Sequence, residues 1–258
     1  MKYRNEPIYT GAIAVGRAFF GALGLKPVVI GAEHLPDEGG AVIAMTHFGY
    51  MEFALVEWVT WLHNRRRIRF MAKKPVFDKP VVGWLMRSMK HISVDMTEGS
   101  DAYAAAVAAL RGGELIGVFP EAGVSASFTV RELKTGAARL AAEAGVPLIP
   151  VAVWGGQRLM TKGHKVRMRE RFGIPVTFAF GAPLSVSGDP RRATDELRSS
   201  LEHLVADLQR EYPVDGTGQW WQPQELGGTA MSREDAAALE AERAARRAAR
   251  GTTRGSTR

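Results

Sequence analysis

The sequence predicts an α/β fold: a single mostly parallel or mixed sheet flanked by helices, with an interfacial helix at the N-terminus. Three observations carry this. Apolar runs of strand length recur at 27–31, 40–45, 68–72, 91–94, 115–119, 148–154 and 176–180. Stretches of helical period lie between most of them, at 52–63, 81–89, 101–110, 135–144 and 191–212, and such alternation joins strands through helical crossovers. Composition agrees, because 46% hydrophobic and 24% charged residues over 258 positions suffice for a substantial core and exclude wholesale disorder.

Two function classes fall away on composition. With no cysteine the chain has no disulfide, thiolate nucleophile or cysteine zinc site, and its six histidines are scattered without ligand spacing, so no metal is expected. A net charge of +7 favours anionic partners, whether phosphorylated small molecules, a membrane surface or nucleic acid. The basic residues are spread over many elements and are not interleaved with aromatics, which argues against nucleic acid.

Residues 8–25 are apolar but carry Arg17 and several glycines, and fall short of the roughly 20 apolar residues that a membrane span requires. Ile8, Ala12, Val15, Phe19, Ala22 and Leu23 recur at helical spacing, with Lys2, Arg4, Arg17 and Lys26 placed to meet anionic headgroups. The helix either lies in an interface or packs on the domain's own core. The strand at 27–31 follows, and Pro36-Asp37-Glu38-Gly39-Gly40 turns the chain into the strand at 40–45. Asp189-Pro190 opens the helix whose Leu197, Leu201, Leu204 and Leu208 share a face. We divide the chain into an N-terminal helical segment (1–26), a central domain (27–213) and a Trp/Gly linker with a basic tail (214–258). In the tail, Ser232-Arg-Glu-Asp235 resembles a capping box and predicts a helix from 233 to about 250 with a disordered end. Trp220-Trp221 either anchors at a lipid surface or packs under a loop.

The segment Ala44-Met45-Thr46-His47-Phe48-Gly49-Tyr50-Met51-Glu52 ends the second strand and opens the next helix. Five residues within one helix lie about 140° past a full turn, so His47 and Glu52 meet only if His47 precedes the helix, with Phe48-Gly49 as the turn. Glu52 in the first turn then reaches back to an imidazole nitrogen and fixes the tautomer, which makes a base. On this spacing alone, a histidine at a strand end is more often a hydrogen-bonded structural residue.

Further on stand Phe119-Pro120-Glu121-Ala122-Gly123-Val124-Ser125 at the end of a strand, Lys134-Thr135-Gly136 before a helix, and Val146-Pro147-Leu148-Ile149-Pro150-Val151. With the His47 segment and Gly83…Arg87 between, these four blocks resemble, in order and spacing over residues 27 to 185, the glycerolipid acyltransferase family that includes the lysophosphatidic acid acyltransferases. The resemblance implies the fold of glycerol-phosphate acyltransferases and transfer of a fatty acyl group from acyl-CoA or acyl carrier protein, as co-substrate, to a lysophospholipid hydroxyl. No cofactor is implied. The acceptor so implied is 1-acylglycerol 3-phosphate, giving phosphatidic acid at the cytoplasmic face of the cell membrane, with the protein peripheral or monotopic on that anionic surface. By resemblance His47 is the base and Glu52 its partner. Arg87, Phe119, Pro120, Glu121, Ala122, Gly123, Ser125 and Lys134 then bind substrate, and Lys73, Lys74, Lys90 and Arg131 are candidate phosphate or carrier contacts. No Gly-x-Ser-x-Gly elbow is present, in keeping with direct transfer. Backbone N–H groups after His47 are the expected oxyanion donors.

The chain departs from the pattern at Glu52, where the family has aspartate, at Met96 and Val124, where it has arginine, and at Ala122, where it has glycine. Arginine grips phosphate in a bidentate fork that methionine and valine cannot supply. A glycolipid or other alcohol as acceptor is therefore an alternative, as is a lipid esterase that activates water.

Overall fold

The structure is a computed structural model that describes residues 6–95, 99–121 and 123–255. Seven strands form one sheet: β1 (Lys26–Ile30), β2 (Ala41–Met45), β3 (Ile68–Lys73), β4 (Ile92–Val94), β5 (Leu115–Val118), β6 (Leu148–Trp154) and β7 (Pro175–Phe180), in the order β1-β7-β6-β2-β5-β3-β4. Every pairing is parallel except β6 with β7, so the sheet is mixed, as the sequence allowed. The strand ends fall within one residue of those read from the sequence.

The helices are α1 (Pro7–Ala22), α2 (Glu52–Asn64), α3 (Lys74–Phe77), α4 (Pro80–Ser88), α5 (Gly99–Arg111), α6 (Gly136–Ala144), α7 (Pro190–Arg210) and α8 (Arg233–Gly255). Alternation along β2 shows how they are layered. Val42 and Ala44 face one core with residues of α5, α6 and α7, while Ala41, Ile43 and Met45 face another with residues of α1 and α2. All five are fully buried, as a central parallel strand covered on both faces must be. Helix α3 is absent from the sequence reading because four residues show no period.

Three expectations are corrected or settled. Helix α1 buries Tyr9, Ile13 and Phe20, whereas the stripe chosen from the sequence includes Ile8, Val15 and Phe19, which are exposed. The helix thus packs on the domain and still presents an apolar outer face. Trp221 is 3% exposed and packs edge-on against Tyr212, so the Trp220-Trp221 pair is seated in the fold. Helix α8 runs to Gly255, past the predicted end near 250. Among the described residues no helix is long and apolar enough to cross a membrane.

Candidate active site

Five parallel strands point the same way, and β2 lies between β6 and β5 at the middle of the sheet. Ligands of open α/β sheets bind outside the carboxyl ends of the strands, and β2 delivers His47 there. Thr46 is locked in place, its hydroxyl accepting from Val153 N at 3.2 Å. The chain then turns through Phe48 and Gly49 into α2, and Gly49 is demanded by crowding: an added Cβ would stand 3.0 Å from the Met160 carbonyl oxygen.

Residue 47 is held on nearly every side. Its backbone N–H donates to Glu121 Oε1 at 2.9 Å, and its carbonyl accepts from Ser125 N at 2.8 Å. Its Nδ1 lies 3.3 Å from Glu52 Oε2, and its ring stacks on Phe119 with centroids 4.0 Å apart. The side chain is 18% exposed, and among the described residues Nε2 makes no hydrogen bond to the protein. The carboxyl of Glu52 is fully buried and accepts from Phe48 N at 2.9 and 3.0 Å and from Gly49 N at 2.9 Å. These N–H groups were the expected oxyanion donors. They are instead consumed by Glu52, because a carboxylate in the first turn of α2 reaches them first.

Burial pushes the His47 imidazole down to about 4; Glu121 and the Gly49 backbone oppose this, and the charges of Arg131 and Lys73 reinforce it. Burial pushes Glu121 up to about 7 against the N–H bond from His47. Burial also drives the Glu52 carboxyl up, opposed by Phe48 and Gly49. Both oxygens of Glu52 already accept N–H bonds, an arrangement that solvates the ionised form, so we read the pair as carboxylate and neutral imidazole with the proton on Nδ1.

The remaining sequence candidates divide into two groups. Glu121, Ser125 and Phe119 converge on His47, and Pro120 is buried beneath them, its carbonyl accepting from Lys134 N. Glu121 is not a solvent-facing loop carboxylate; it is 2% exposed and clasps His47 N and Arg131 N. Arg131 is also committed, donating to the Gly123 carbonyl at 3.1 Å and pairing with Glu240 of α8. Arg87 donates to the Phe77 carbonyl at 2.9 Å, and Gly83 makes room for that contact, since a Cβ there would meet the same oxygen at 1.8 Å. Lys90 pairs with Glu6, itself bound to Arg69, and Lys74 with Asp78. The side chains of Lys73 and Lys134 are exposed. Ala122 and Met96 lie outside the described residues.

Sequence reasoning missed Thr161, whose hydroxyl donates to the Phe48 carbonyl at 2.6 Å and braces the loop from behind. A threonine 113 positions away carries no local signal. It also missed an apolar cavity of about 150 Å³ between α1, α2, α4 and β3, walled by Ile13, Phe20, Phe53, Trp58, Leu85 and Met89. Phe53 follows Glu52 directly, so this cavity borders the helix that carries the dyad's carboxylate.

Comparisons with known proteins bear on the family and the fold. The family model described as Acyltransferase matches residues 26–154, which contain His47, Glu52 and Glu121. The chain is 30% identical over 184 residues to the 1-acyl-sn-glycerol-3-phosphate acyltransferase of Bacillus subtilis, covering 70% of this chain and 88% of that protein. It is 26% identical over 148 residues to a 1-acyl-sn-glycerol-3-phosphate acyltransferase of Chlamydomonas reinhardtii, 43% of whose length it covers. The crystal structure of the 1-acyl-sn-glycerophosphate (LPA) acyltransferase PlsC from Thermotoga maritima superposes with a TM-score of 0.67 over 83% of this chain and 86% of that one; at 21% identity this shows the fold.

Proposed function

This chain belongs to the acyltransferase family, and from that premise we propose that it moves a fatty acyl group from a thioester to the free hydroxyl of a lysophospholipid, above all 1-acylglycerol 3-phosphate. The observation that carries the reading is the pairing at His47: Nδ1 faces a buried carboxylate, while Nε2 has no hydrogen-bond partner among the described residues and the side chain is 18% exposed. Nε2 accepts the hydroxyl proton as the alcohol oxygen attacks the thioester carbonyl, and Glu52 steadies the imidazolium that forms. Collapse of the tetrahedral adduct breaks the C–S bond, and the imidazolium returns its proton to the departing sulfur. No covalent enzyme intermediate is needed, so Ser125, buried and bonded to the Thr129 carbonyl, serves the loop's architecture.

The apolar cavity beside α2 offers space to an acyl chain. Exposed Val15 and Phe19 on α1 and Val81, Val82 and Trp84 on α4 offer an apolar face to a lipid surface, in keeping with a peripheral position at the cytoplasmic membrane. His47→Ala should lower transfer from acyl-CoA to 1-acylglycerol 3-phosphate by roughly 10²–10⁴-fold while leaving the melting temperature unchanged within a few degrees. Undiminished turnover in that variant would sink the reading.

A second reading keeps the chemistry and changes the acceptor to a glycolipid or another alcohol. Val124 is 4% exposed where an arginine is usual, and Arg131 is already paired with Glu240, so the phosphate grip is thin. Assaying phosphorylated and sugar-bearing lysolipids side by side separates the two.

A further inference from the structure

Helix α8 begins at Arg233, where Ser232 caps it by accepting from Asp235 N at 3.0 Å, and it lies outside the region matched by the family model. Its inward residues are Ala236, Leu239, Glu240 and Arg243, which share one helical face, while positions 237, 238, 241 and 242 between them are exposed. That face sits on the two loops that hold His47. Leu239 and Arg243 line a cavity of about 170 Å³ together with Ala126 and Phe128 of the loop after β5 and with Gly163 and His164 of the loop after β6. The first of these loops bonds the His47 carbonyl through Ser125 N, and the second bonds the Phe48 carbonyl through Thr161.

Glu240 meets Arg131 there. The Arg131 guanidinium donates through Nη1 to the carbonyls of Gly123 at 3.1 Å and Glu121 at 3.4 Å, and gives Nη2 to the Glu240 carboxylate. Its backbone N–H donates to Glu121, which clasps His47, and its charge is felt at the imidazole itself. A carboxylate thus occupies the donor of a cation beside the base, where a phosphate oxygen would make the same charge-assisted bond. The seat is light, because only Ala236 and Leu239 among the inward residues are apolar. From position 243 onward the sequence holds Arg243, Arg246, Arg247, Arg250, Arg254 and Arg258 and no acidic residue, and each such cation adds to the pull of an anionic surface.

We propose that Glu240 stands on Arg131 in the place of the acceptor's phosphate, that α8 is thereby an autoinhibitory strap over the acceptor side of the site, and that an anionic lipid surface lifts it by its arginine-rich end. The inference rests on the acyl-transfer reading above and names a control of that same site. Away from lipid the strap holds Arg131; at an anionic membrane, where a lysolipid acceptor is found, it lets go. Glu240 is 21% exposed and lies outside the apolar core, so Glu240→Gln removes its charge and leaves the packing in place.

The test uses the full chain. With 1-acylglycerol 3-phosphate in neutral detergent micelles, Glu240→Gln should lower the acceptor KM about fivefold and leave the KM for acyl-CoA unmoved. With monoacylglycerol, which carries no phosphate, the variant should behave as the wild type. Vesicles containing phosphatidylglycerol should stimulate the wild type over vesicles of phosphatidylcholine alone, and should stimulate Glu240→Gln much less. Binding gives a readout apart from turnover: in a His47→Ala background, Glu240→Gln should tighten 1-acylglycerol 3-phosphate by the same factor in calorimetry. An unchanged or raised acceptor KM overturns the strap, the raised value because Glu240 would then be aligning Arg131 for substrate. An equal gain with monoacylglycerol overturns the phosphate assignment in favour of steric cover, and equal stimulation of both proteins by phosphatidylglycerol overturns release by the membrane. If no acceptor is acylated by either protein while binding tightens as expected, the acyl-transfer reading fails and the strap stands; if binding does not tighten, the strap fails whatever the turnover.

Discussion

At residue 47 the backbone N–H, the backbone carbonyl and Nδ1 all have partners, and the kinetics should report the one nitrogen left over. On the proposed mechanism the free imidazole is the working form, and burial pushes its pKa down to about 4 from the ordinary 6.5. The acid limb of the kcat/KM profile should therefore fall with a midpoint near 4. A midpoint at 6.5 in the wild type would contradict the buried environment. Glu52→Gln keeps the length of the side chain but gives it only one acceptor oxygen for N–H groups that now use two. We expect kcat to fall by about 10²-fold, read against an unchanged far-UV spectrum. Glu52→Asp should also lose activity, since this turn is built to the reach of glutamate.

Among the elements, α4 shows how a residue singled out for chemistry can also have an architectural use. Gly83 and Arg87 occupy a block that the family resemblance ties to substrate, yet both meet the Phe77 carbonyl, one by making way for it and one by donating to it. Gly83→Ala should destabilise the fold by roughly 1–3 kcal/mol in urea unfolding, whatever it does to KM. The strands, and helices such as α2 and α6, were legible because apolar runs and their periods are local. The His47–Glu52 contact was legible for the same reason, both residues lying on one turn. The grip of Glu121 and Ser125 on His47 was not, because it joins the ends of β2 and β5 and depends on two strands being neighbours, which no spacing encodes. The oxyanion expectation failed on a competition that sequence does not display: two N–H groups and a carboxylate within reach of each other.

For the whole molecule, the segment between α7 and α8 packs on the folded body through Trp221, which is 3% exposed. A chain ending at Pro213 loses buried Trp221 and should drop in stability by about 3–5 kcal/mol, whereas one ending at Met231 should keep most of it, as calorimetry would show. The pH dependence of stability is likewise a global property. Burial pushes Glu57 up to about 8 and Glu121 up to about 7, from an ordinary value of 4.5. In both cases the folded state holds the proton more tightly than the unfolded chain, so their contribution is complete below pH 4.5 and is lost as the pH rises toward 8. Melting temperatures should decline across that window, and Glu57→Gln should flatten the decline; an equal slope in the variant would exclude Glu57 as its source. The clasp on His47 has one more consequence, for control. Its two backbone anchors come from residue 121, 74 positions along the chain, and from Ser125, so the base is aligned only while β2 and β5 lie side by side. On the proposed mechanism, activity then reports on the integrity of the sheet's centre, and a molecule whose β2–β5 pairing has loosened should lose transfer together with the alignment of His47.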